Sequence, residues 1–317
     1  MGDFMGDFMS VAGVDVHKDS ISITMLFQEG GKWKQEYFES QTFSQDLAIA
    51  GKKIKSKKIT EVAMESTGIY WKPIFHIWNE MGIKITLVNA HHLKRVPGRK
   101  TDASDSAWIA ELHQKGLLKS SYIPDETFQE LRALTRHRTT LVNANSPIKN
   151  RVQKILEDGN VKLSSVLSDV FGVAGTEVIK GIISGEDDPD KLVELIKTNV
   201  KETKETIRKS LVHTLKPYHR LLIKQLYQDY LFRSQLIFEI EHEIDEKMKP
   251  FEAQIKLLDT IPGVDKVTAQ IIIAEATTET KNFENERIFA SWAGVVPGNN
   301  ESGGKKKDQN VGMEIPL

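Results

Sequence analysis

Cysteine is absent from this chain of 317 residues. Disulfide bonds, thiolate zinc sites and cysteine nucleophiles are therefore excluded, and the chain is compatible with a reducing compartment. No apolar run approaches the roughly 20 residues that span a bilayer, and the N-terminus has no secretory apolar segment, so we expect no membrane association. Excess charge is also lacking, because 43 Lys and Arg stand against 44 Asp and Glu. The overall charge thus indicates no particular partner.

The distribution of charge is more informative than its sum. Four cations stand between positions 94 and 100, next to two aspartates, and six stand between positions 132 and 154, where no acid occurs. Such runs are typical of surfaces that contact phosphates, although most basic runs are simply solvated faces. The ten residues are Lys94, Arg95, Arg99, Lys100, Arg132, Arg136, Arg138, Lys149, Arg151 and Lys154.

The first third of the chain has the pattern of an α/β domain. Residues 1–10 begin with a tandem duplication, Met-Gly-Asp-Phe-Met-Gly-Asp-Phe-Met, and we expect this leader to be disordered. After it, apolar and alternating patterns predict strands over 11–16, 20–27, 32–39, 59–64 and 83–88, and helices over 44–55 and 71–81. The first three strands predict an antiparallel meander. This element order is that of an RNase H-like α/β domain with a mixed sheet, which we assign to residues 11–125.

Four acids fall at positions that suit a metal site. Asp15 lies in the first predicted strand, Glu65 ends the fourth, and Asp102 and Asp105 open a later helix. In that helix the two aspartates are three residues apart and share one face. Carboxylates that close repel each other unless a proton or a cation lies between them, and magnesium takes oxygen ligands. Helix capping explains the two aspartates equally well when they are considered alone.

From about residue 124 onward the strand patterns stop. Near-heptad apolar spacing predicts a helix over 128–156, which Pro147 is expected to kink or break. A charged helix is predicted over 191–215. An apolar seam from Leu226 to Ile244 suits either a coiled coil between subunits or packing within the chain. We assign residues 126–250 to an all-α, coiled-coil-like domain.

The last predicted domain, residues 251–317, is small and mainly α-helical. Its Ile261-Pro262-Gly263-Val264 segment, between two helical patterns, resembles the helix-hairpin-helix element, whose backbone amides face phosphates. Ser302 then precedes two glycines and three lysines, Lys305 to Lys307. That composition suits a loop that approaches a phosphate closely, and an ordinary Gly-Lys surface loop accounts for it equally well.

Taken in order, these segments resemble the DEDD transposases of the insertion-sequence 110 group. Each matching segment is weakly specific alone, but together they span nearly the whole chain in family order and are highly specific. The matching segments are Gly13-Val14-Asp15-Val16-His17-Lys18, Glu65-Ser66-Thr67-Gly68 with Tyr70-Trp71, Lys100-Thr101-Asp102-Ala103-Ser104-Asp105, Ile261-Pro262-Gly263-Val264, and Ala293-Gly294-Val295-Val296-Pro297 through Ser302-Gly303-Gly304-Lys305.

The resemblance implies a RuvC-like first domain that holds magnesium through Asp15, Glu65, Asp102 and Asp105. It also implies that Ser302 is the nucleophile that forms a covalent link to DNA. It further implies a structured guide RNA that pairs with donor and target DNA, and dimers that assemble into tetramers in a bacterial or archaeal cytoplasm, at the nucleoid. The ten basic residues named above would hold nucleic-acid backbones, together with Lys305, Lys306 and Lys307.

Residues 308–317 depart from the family pattern and match nothing expected after the Ser-Gly-Gly-Lys segment. We interpret them as a frameshift or truncation near Lys307, which would leave the serine-bearing domain incomplete. Two alternatives stay open: a RuvC-type DNA endonuclease that needs the four acids and no serine, and an inactive nucleic-acid-binding relic. An actin-like sugar kinase also begins with Gly-Val-Asp, but its second phosphate loop and adenosine motif are missing.

Overall fold

The computed structural model describes residues 9–66, 68–89, 105–118, 120–278, 283, 285–292, 301–302 and 305–306. Residues 1–8 of the predicted leader lie outside these ranges. The chain divides into two units, one made of residues 1–123 with 281–317 and the other of residues 124–280. Among the helices of the described ranges, none combines the length and the apolar character that a bilayer crossing requires.

A five-stranded mixed sheet forms the centre of the first unit. Its strands are β1 (Val11–Val16), β2 (Ser20–Glu29), β3 (Lys32–Gln41), β4 (Glu61–Glu65) and β5 (Lys84–Val88), in the order β3-β2-β1-β4-β5. The first three strands pair antiparallel, and β1, β4 and β5 pair parallel. The predicted meander and mixed sheet are confirmed, and this topology fits an RNase H-like α/β domain.

Helices cover the two faces of this sheet. On one face lie α1 (Ser44–Ser56) and α2 (Trp71–Glu80), joined by the Trp78 indole, which donates to the backbone oxygen of Leu47 at 2.7 Å. On the opposite face, α3 (Asp105–Gln114) packs over β1, β2 and β4. Side chains alternate between faces along a strand, so β1, β2 and β4 contribute side chains to both helical layers.

The second unit is built on two long helices, α4 (Glu126–Asp158) and α9 (Pro217–Met248), which pack against each other. The two helices run antiparallel, because Arg138 within α4 pairs with Glu241 towards the end of α9, and Asp158 at the end of α4 pairs with His219 at the start of α9. Ile244 of the predicted apolar seam is buried among residues of its own unit. Of the two interpretations of that seam, packing within the chain is therefore the one these contacts show.

The long helix α4 continues through Pro147, so the proline does not break the helix, which was one of the two expected effects. Proline within a helix removes one hydrogen bond and clashes with the preceding turn, at a cost of about 3 kcal/mol. Leu141, Ile148 and Val152, on both sides of the proline, are buried. Burial of such side chains holds the helix in place and offsets this cost.

Four shorter helices connect α4 to α9, namely α5 (Leu163–Val166), α6 (Val173–Ser184), α7 (Pro189–Glu194) and α8 (Lys204–Ser210). The single helix predicted over 191–215 is wrong, because α7 and α8 are separate. Each has its own N-terminal cap: the Asp188 side chain accepts from the Asp190 amide, and Thr203 accepts from the Thr206 amide. Caps of this kind begin new helices and interrupt a charged pattern that looks continuous in sequence.

The segment after α9 forms a turn at Lys249–Phe251 and then α10 (Glu252–Asp259) and α11 (Lys266–Ala276). The predicted helix–turn–helix character is confirmed. Gly263 in the turn has a φ of +88°, which glycine adopts without a steric cost, and Asp265 caps α11.

Residues assigned from the sequence to a separate C-terminal domain share a core with the long helices. Ile255 of α10 and Ile273 of α11 are buried together with Phe128 of α4 and Ile244 of α9. Further along the chain come α12 (Glu286–Trp292), β6 (Glu301–Ser302) and β7 (Lys305–Lys306). These last three elements belong to the first unit.

Candidate functional site

Asp15 and Glu65 lie side by side at the carboxyl edge of the parallel strands. β1 and β4 pair in parallel with Val14 opposite Met64, so the next residues along the two strands are Asp15 and Glu65. Side chains in register point to the same face of a sheet. Gly13, two residues before Asp15, faces α3. Both carboxylates therefore lie on the face that α3 covers.

The helix α3 brings its N-terminus to the same edge. Ser106, in its first turn, shares a buried hydrogen bond of 2.9 Å with Thr24 of β2. At its other end, Gln114 donates to the backbone oxygen of Met9, just before β1. The helix thus runs antiparallel to β1, and its first residue, Asp105, lies towards the carboxyl edge. The positive end of the helix dipole stabilises carboxylates at this position.

A histidine accompanies Asp15 at this edge. The Nε2 atom of His17 lies 3.1 Å from Oδ2 of Asp15; the histidine side chain is 65% exposed and the aspartate side chain 19%. Asp15 lies in β1 and His17 is the first residue after this strand, and the short distance between their side chains places both at this edge. Sequence reasoning assigned no role to His17, although this spacing from an acid in a buried strand was the signal.

The residues at this edge fit a hard divalent cation. Their donors are carboxylate oxygens, which magnesium prefers, and two carboxylates side by side favour a cation between them. The structure brings Asp15 and Glu65 together and directs the Asp105 end of α3 to the same edge. Asp102, the fourth predicted acid, lies outside the described residues. Within the described ranges, no group of three or more His, Asp or Glu side chains is close enough together to hold a metal.

The predicted nucleophile and its lysines lie in the C-terminal part of the first unit. Ser302 is in β6, where its backbone pairs with Lys305 of β7, and Lys306 pairs with Glu301. The remaining predicted contacts of this kind fall outside the described residues, namely Lys94, Arg95, Arg99, Lys100 and Lys307.

Two of the predicted nucleic-acid contacts on α4 anchor α11. Arg136 forms a bidentate pair with Glu275 at 2.7 and 2.8 Å, and these hydrogen bonds raise the pKa of the guanidinium. Arg132 donates to the backbone oxygens of Ala274 and Glu275. The last carbonyls of a helix lack partners within the helix, and cations at that end also interact favourably with its dipole.

The other basic residues of α4 differ in their surroundings. Arg138 pairs with an acid of α9 at 2.8 Å. Lys149 lies over two aromatic rings at centroid distances of 5.4 and 5.5 Å. Arg151 and Lys154 are exposed. On this helix, Arg151 and Lys154 are therefore the predicted contacts most accessible to an outside partner.

Two family models match the chain. One, described as "Transposase" and defined on DEDD transposases of the IS110 type, matches residues 12–160; the other, described as "Transposase IS116/IS110/IS902 family", matches residues 255–311. A curated relative, the probable family 20 transposase of Pseudomonas aeruginosa, is 23% identical over 253 residues, which cover 79% of this chain and 65% of the relative. The chain thus spans about two thirds of the length of that relative.

Among solved structures, Thermus thermophilus RuvC matches 36% of this chain and 85% of its own, with 13% identity and a TM-score of 0.24. The first family model includes the four predicted acids, and the second includes Ser302. Both models describe one group of transposases, and together they match more than half of the residues in the expected order. The chain belongs to the IS110 family of transposases.

Proposed function

We propose that this protein is a DNA transposase or recombinase that cuts and rejoins strands at a magnesium-dependent site. Asp15, Glu65, Asp102 and Asp105 would hold the cation, and Ser302 would be the nucleophile. One observation carries the proposal: the register of β1 and β4, which sets Asp15 beside Glu65 on the face covered by α3. Membership of a transposase family supplies the class of reaction.

The chemistry that follows is a pair of transesterifications. A bound divalent cation would orient the scissile phosphate and stabilise charge on the attacking and leaving oxygens. Ser302 would lose its hydroxyl proton and form an Oγ–P bond, while a sugar oxygen leaves and takes up a proton. Attack by another sugar hydroxyl would rejoin the strand and restore the serine. A serine hydroxyl is a weak nucleophile unless a base or a cation activates it, so the acids and Ser302 would have to act at one site.

Guidance by a structured RNA, assembly into dimers and tetramers, and a place at the nucleoid rest on the family resemblance. In such a system base pairing supplies sequence specificity, and the protein holds the backbones without reading sequence. Arg151 and Lys154, exposed on α4, are described candidates for this backbone contact.

Substitution of these two cations tests the backbone contact. In a variant with both Arg151→Gln and Lys154→Gln, we expect weaker binding of nucleic acid and a salt-dependence slope smaller by about 2, since each lost phosphate contact removes about 1. The measurement is fluorescence anisotropy of labelled nucleic acid over a range of salt concentrations. Arg136→Gln is the matched control, because it removes a cation that contacts Glu275 and should lower stability more than the salt slope. An unchanged slope in the double variant would exclude these residues as backbone contacts.

Covalent chemistry distinguishes a serine recombinase from a RuvC-type endonuclease. The protein with its co-purified RNA, the DNA that flanks its gene and Mg²⁺ should give a protein–DNA adduct that survives SDS. Ser302→Ala should abolish this adduct, whereas Ser164→Ala, an exposed serine of the second unit, should not. Cutting that persists in Ser302→Ala would favour the endonuclease. Binding without cutting by the intact chain would favour a relic.

The co-purified RNA tests guidance directly. Sequencing should find one discrete, structured species transcribed from the DNA next to the gene. A random sample of cellular RNA would contradict guided recombination while leaving the proposed cation site unaffected.

A further inference from the structure

We propose that His17 is a positioning residue that orients the carboxylate of Asp15 for cation binding; this inference rests on the proposed magnesium site. Its Nε2 atom lies 3.1 Å from Oδ2 of Asp15. At that distance an imidazole N–H is within reach to donate to a carboxylate oxygen. Contact with Oδ2 would restrict rotation of the carboxylate and leave its other oxygen available to a cation.

Local geometry keeps the two side chains together. Asp15 is near the end of β1, on the face that α3 covers, and His17 is the first residue after the strand. The backbone of His17 is itself held, because its amide donates to the Ser20 oxygen at 3.0 Å and closes the turn into β2. A histidine placed by such a turn is a suitable outer-shell partner, since outer-shell groups orient the ligands of a metal.

The ligand preference of the cation indicates whether His17 positions Asp15 or binds the cation directly. Magnesium and manganese take carboxylate oxygens and water, whereas imidazole nitrogen suits zinc, copper, iron and nickel. With magnesium or manganese, His17 would therefore contact Asp15 and would not itself be a ligand of the cation. The exposure of the two side chains agrees with this role, because the histidine is 65% exposed and the aspartate is 19% exposed.

If the contact between His17 and Asp15 is only an incidental surface pair, a different effect on cation affinity is expected. Exposed ion pairs contribute little to stability, and removing an incidental one would leave the cation affinity unchanged. Removing an outer-shell partner, in contrast, typically weakens metal affinity by about 10- to 100-fold. Cation affinity therefore distinguishes the two cases, because loss of an incidental contact would leave it unchanged.

The test is Mn²⁺ binding to the full chain, followed by electron paramagnetic resonance and by titration calorimetry. We expect His17→Ala to weaken the affinity about 10-fold or more. His17→Gln should recover most of it, because its amide nitrogen reaches about as far as Nε2. His76→Ala is the matched control: His76 is exposed on α2, which packs on the other face of the sheet. Circular dichroism and melting temperature check that each variant is folded.

The possible failures are distinguishable. Equal Mn²⁺ affinity in the wild type and in His17→Ala would overturn the role of His17 and leave the cation site standing. A wild-type chain that binds no Mn²⁺ more tightly than Asp15→Asn would overturn the site itself, and the role of His17 with it. A spin-echo signal from directly bound imidazole nitrogen that disappears in His17→Ala would show ligation and overturn positioning.

Discussion

Glu61 and Glu65 lie on the same face of the same strand, β4, and differ in what faces them. Glu61, at the amino edge, is 2.9 Å from Nζ of Lys84 on β5 and 4.0 Å from Nε2 of His113 on α3. Glu65, at the carboxyl edge, stands in register beside another acid, Asp15. The chain itself supplies a cation at the amino edge. At the carboxyl edge two like charges adjoin, which favours binding of a cation.

The comparison teaches that strand register, more than the number of acids, identifies the candidate site. In the pairing of β4 with β5, Glu61 is opposite Lys84, whereas Glu65 is opposite Val88. On the other side of β4, the register with β1 brings Asp15 next to Glu65. On the strand next to it, Glu61 thus faces a lysine, whereas Glu65 is followed in register by a second acid on β1.

Removing one carboxylate at each edge should give the largest contrast. Asp15→Asn keeps the shape of the side chain and removes its charge, so we expect adduct formation with DNA to slow about 100-fold or more. Glu61→Gln should stay within about twofold of the wild type, because its contacts with Lys84 and His113 lie at the amino edge of the sheet, away from the proposed site. Single-turnover assays at equal protein concentration measure both. Equal losses in two folded variants would remove the distinction between the edges.

Gly13 tests whether α3 must contact β1 for the carboxyl edge to function. A Cβ at this position would lie 2.2 Å from the backbone nitrogen of Ala110 and 2.3 Å from the backbone oxygen of Ser106. Gly13→Ala must therefore displace α3, and we expect the free energy of unfolding to fall by about 2–3 kcal/mol. Binding of Mn²⁺ should weaken as well. Urea denaturation and Mn²⁺ titration provide the two measurements.

Gly30→Ala is the matched control for that substitution. Gly30 is in the turn between β2 and β3, with a φ of +62° and no atom within 4 Å of an added Cβ. Alanine there costs only about 1–2 kcal/mol of backbone strain and should leave Mn²⁺ binding unchanged. Weakened Mn²⁺ binding in both variants would mean that lost stability, and not the position of α3, is responsible.

The buried hydroxyl pair that attaches α3 to β2 should have a smaller effect. Thr24 and Ser106 are both fully buried and share a hydrogen bond of 2.9 Å. In a double-mutant cycle with Thr24→Val and Ser106→Ala, we expect a coupling free energy of about 1 kcal/mol. Denaturation of the four proteins gives this value. Coupling near zero would show that packing around Gly13 positions α3 without help from the hydroxyls.

The smallest effect is expected for the pH dependence of stability that His113, at the amino edge, contributes. Burial lowers the pKa of His113, an effect that Glu61 opposes and Lys84 increases. The folded chain then binds this proton less readily than the unfolded chain, whose histidine has a pKa of about 6.5. Stability is therefore fully present above about pH 6.5, and it decreases as the pH falls towards the lower pKa of the folded state.

His113→Gln should reduce this decrease, as measured by urea denaturation between about pH 7 and pH 5. The pKa of His213 in the second unit is also lowered by burial, so part of the decrease should remain if the two units unfold together. An identical pH profile in the wild type and in His113→Gln would show that His113 is not the group that titrates.

Much of the first unit could be predicted because its elements have clear local patterns. The strand over Val11–Val16 was predicted to the residue. The second strand extends beyond its apolar pattern to Glu29, because Gln28 pairs with Trp33 and Glu29 with Lys32 in the hairpin. The third strand extends to Gln41, which pairs with Ser20 at the start of the second. Backbone pairing, which carries no hydrophobic signal, sets those ends.

The site was predictable only in part. The positions of Asp15, Glu65 and Asp105 at strand ends and at a helix start made them candidates from the sequence. Whether Asp15 and Glu65 lie next to each other depends on which strand pairs with β1, and the sequence does not specify that pairing. The contacts of Arg136 could not be predicted from the sequence for a similar reason, because its partner Glu275 is 139 residues away along the chain. A run of basic residues predicts a surface that contacts phosphates. The sequence around Arg136 does not indicate that an acid far along the chain pairs with this arginine.

The central claim is that the carboxyl edge of β1 and β4 binds a divalent cation between Asp15 and Glu65. Anomalous diffraction from crystals of the protein grown with Mn²⁺, used as a probe for Mg²⁺, tests it most directly. We expect an anomalous peak about 2.0–2.3 Å from a carboxylate oxygen of each residue. A manganese ion bound only elsewhere, for example at Glu61, would contradict the claim.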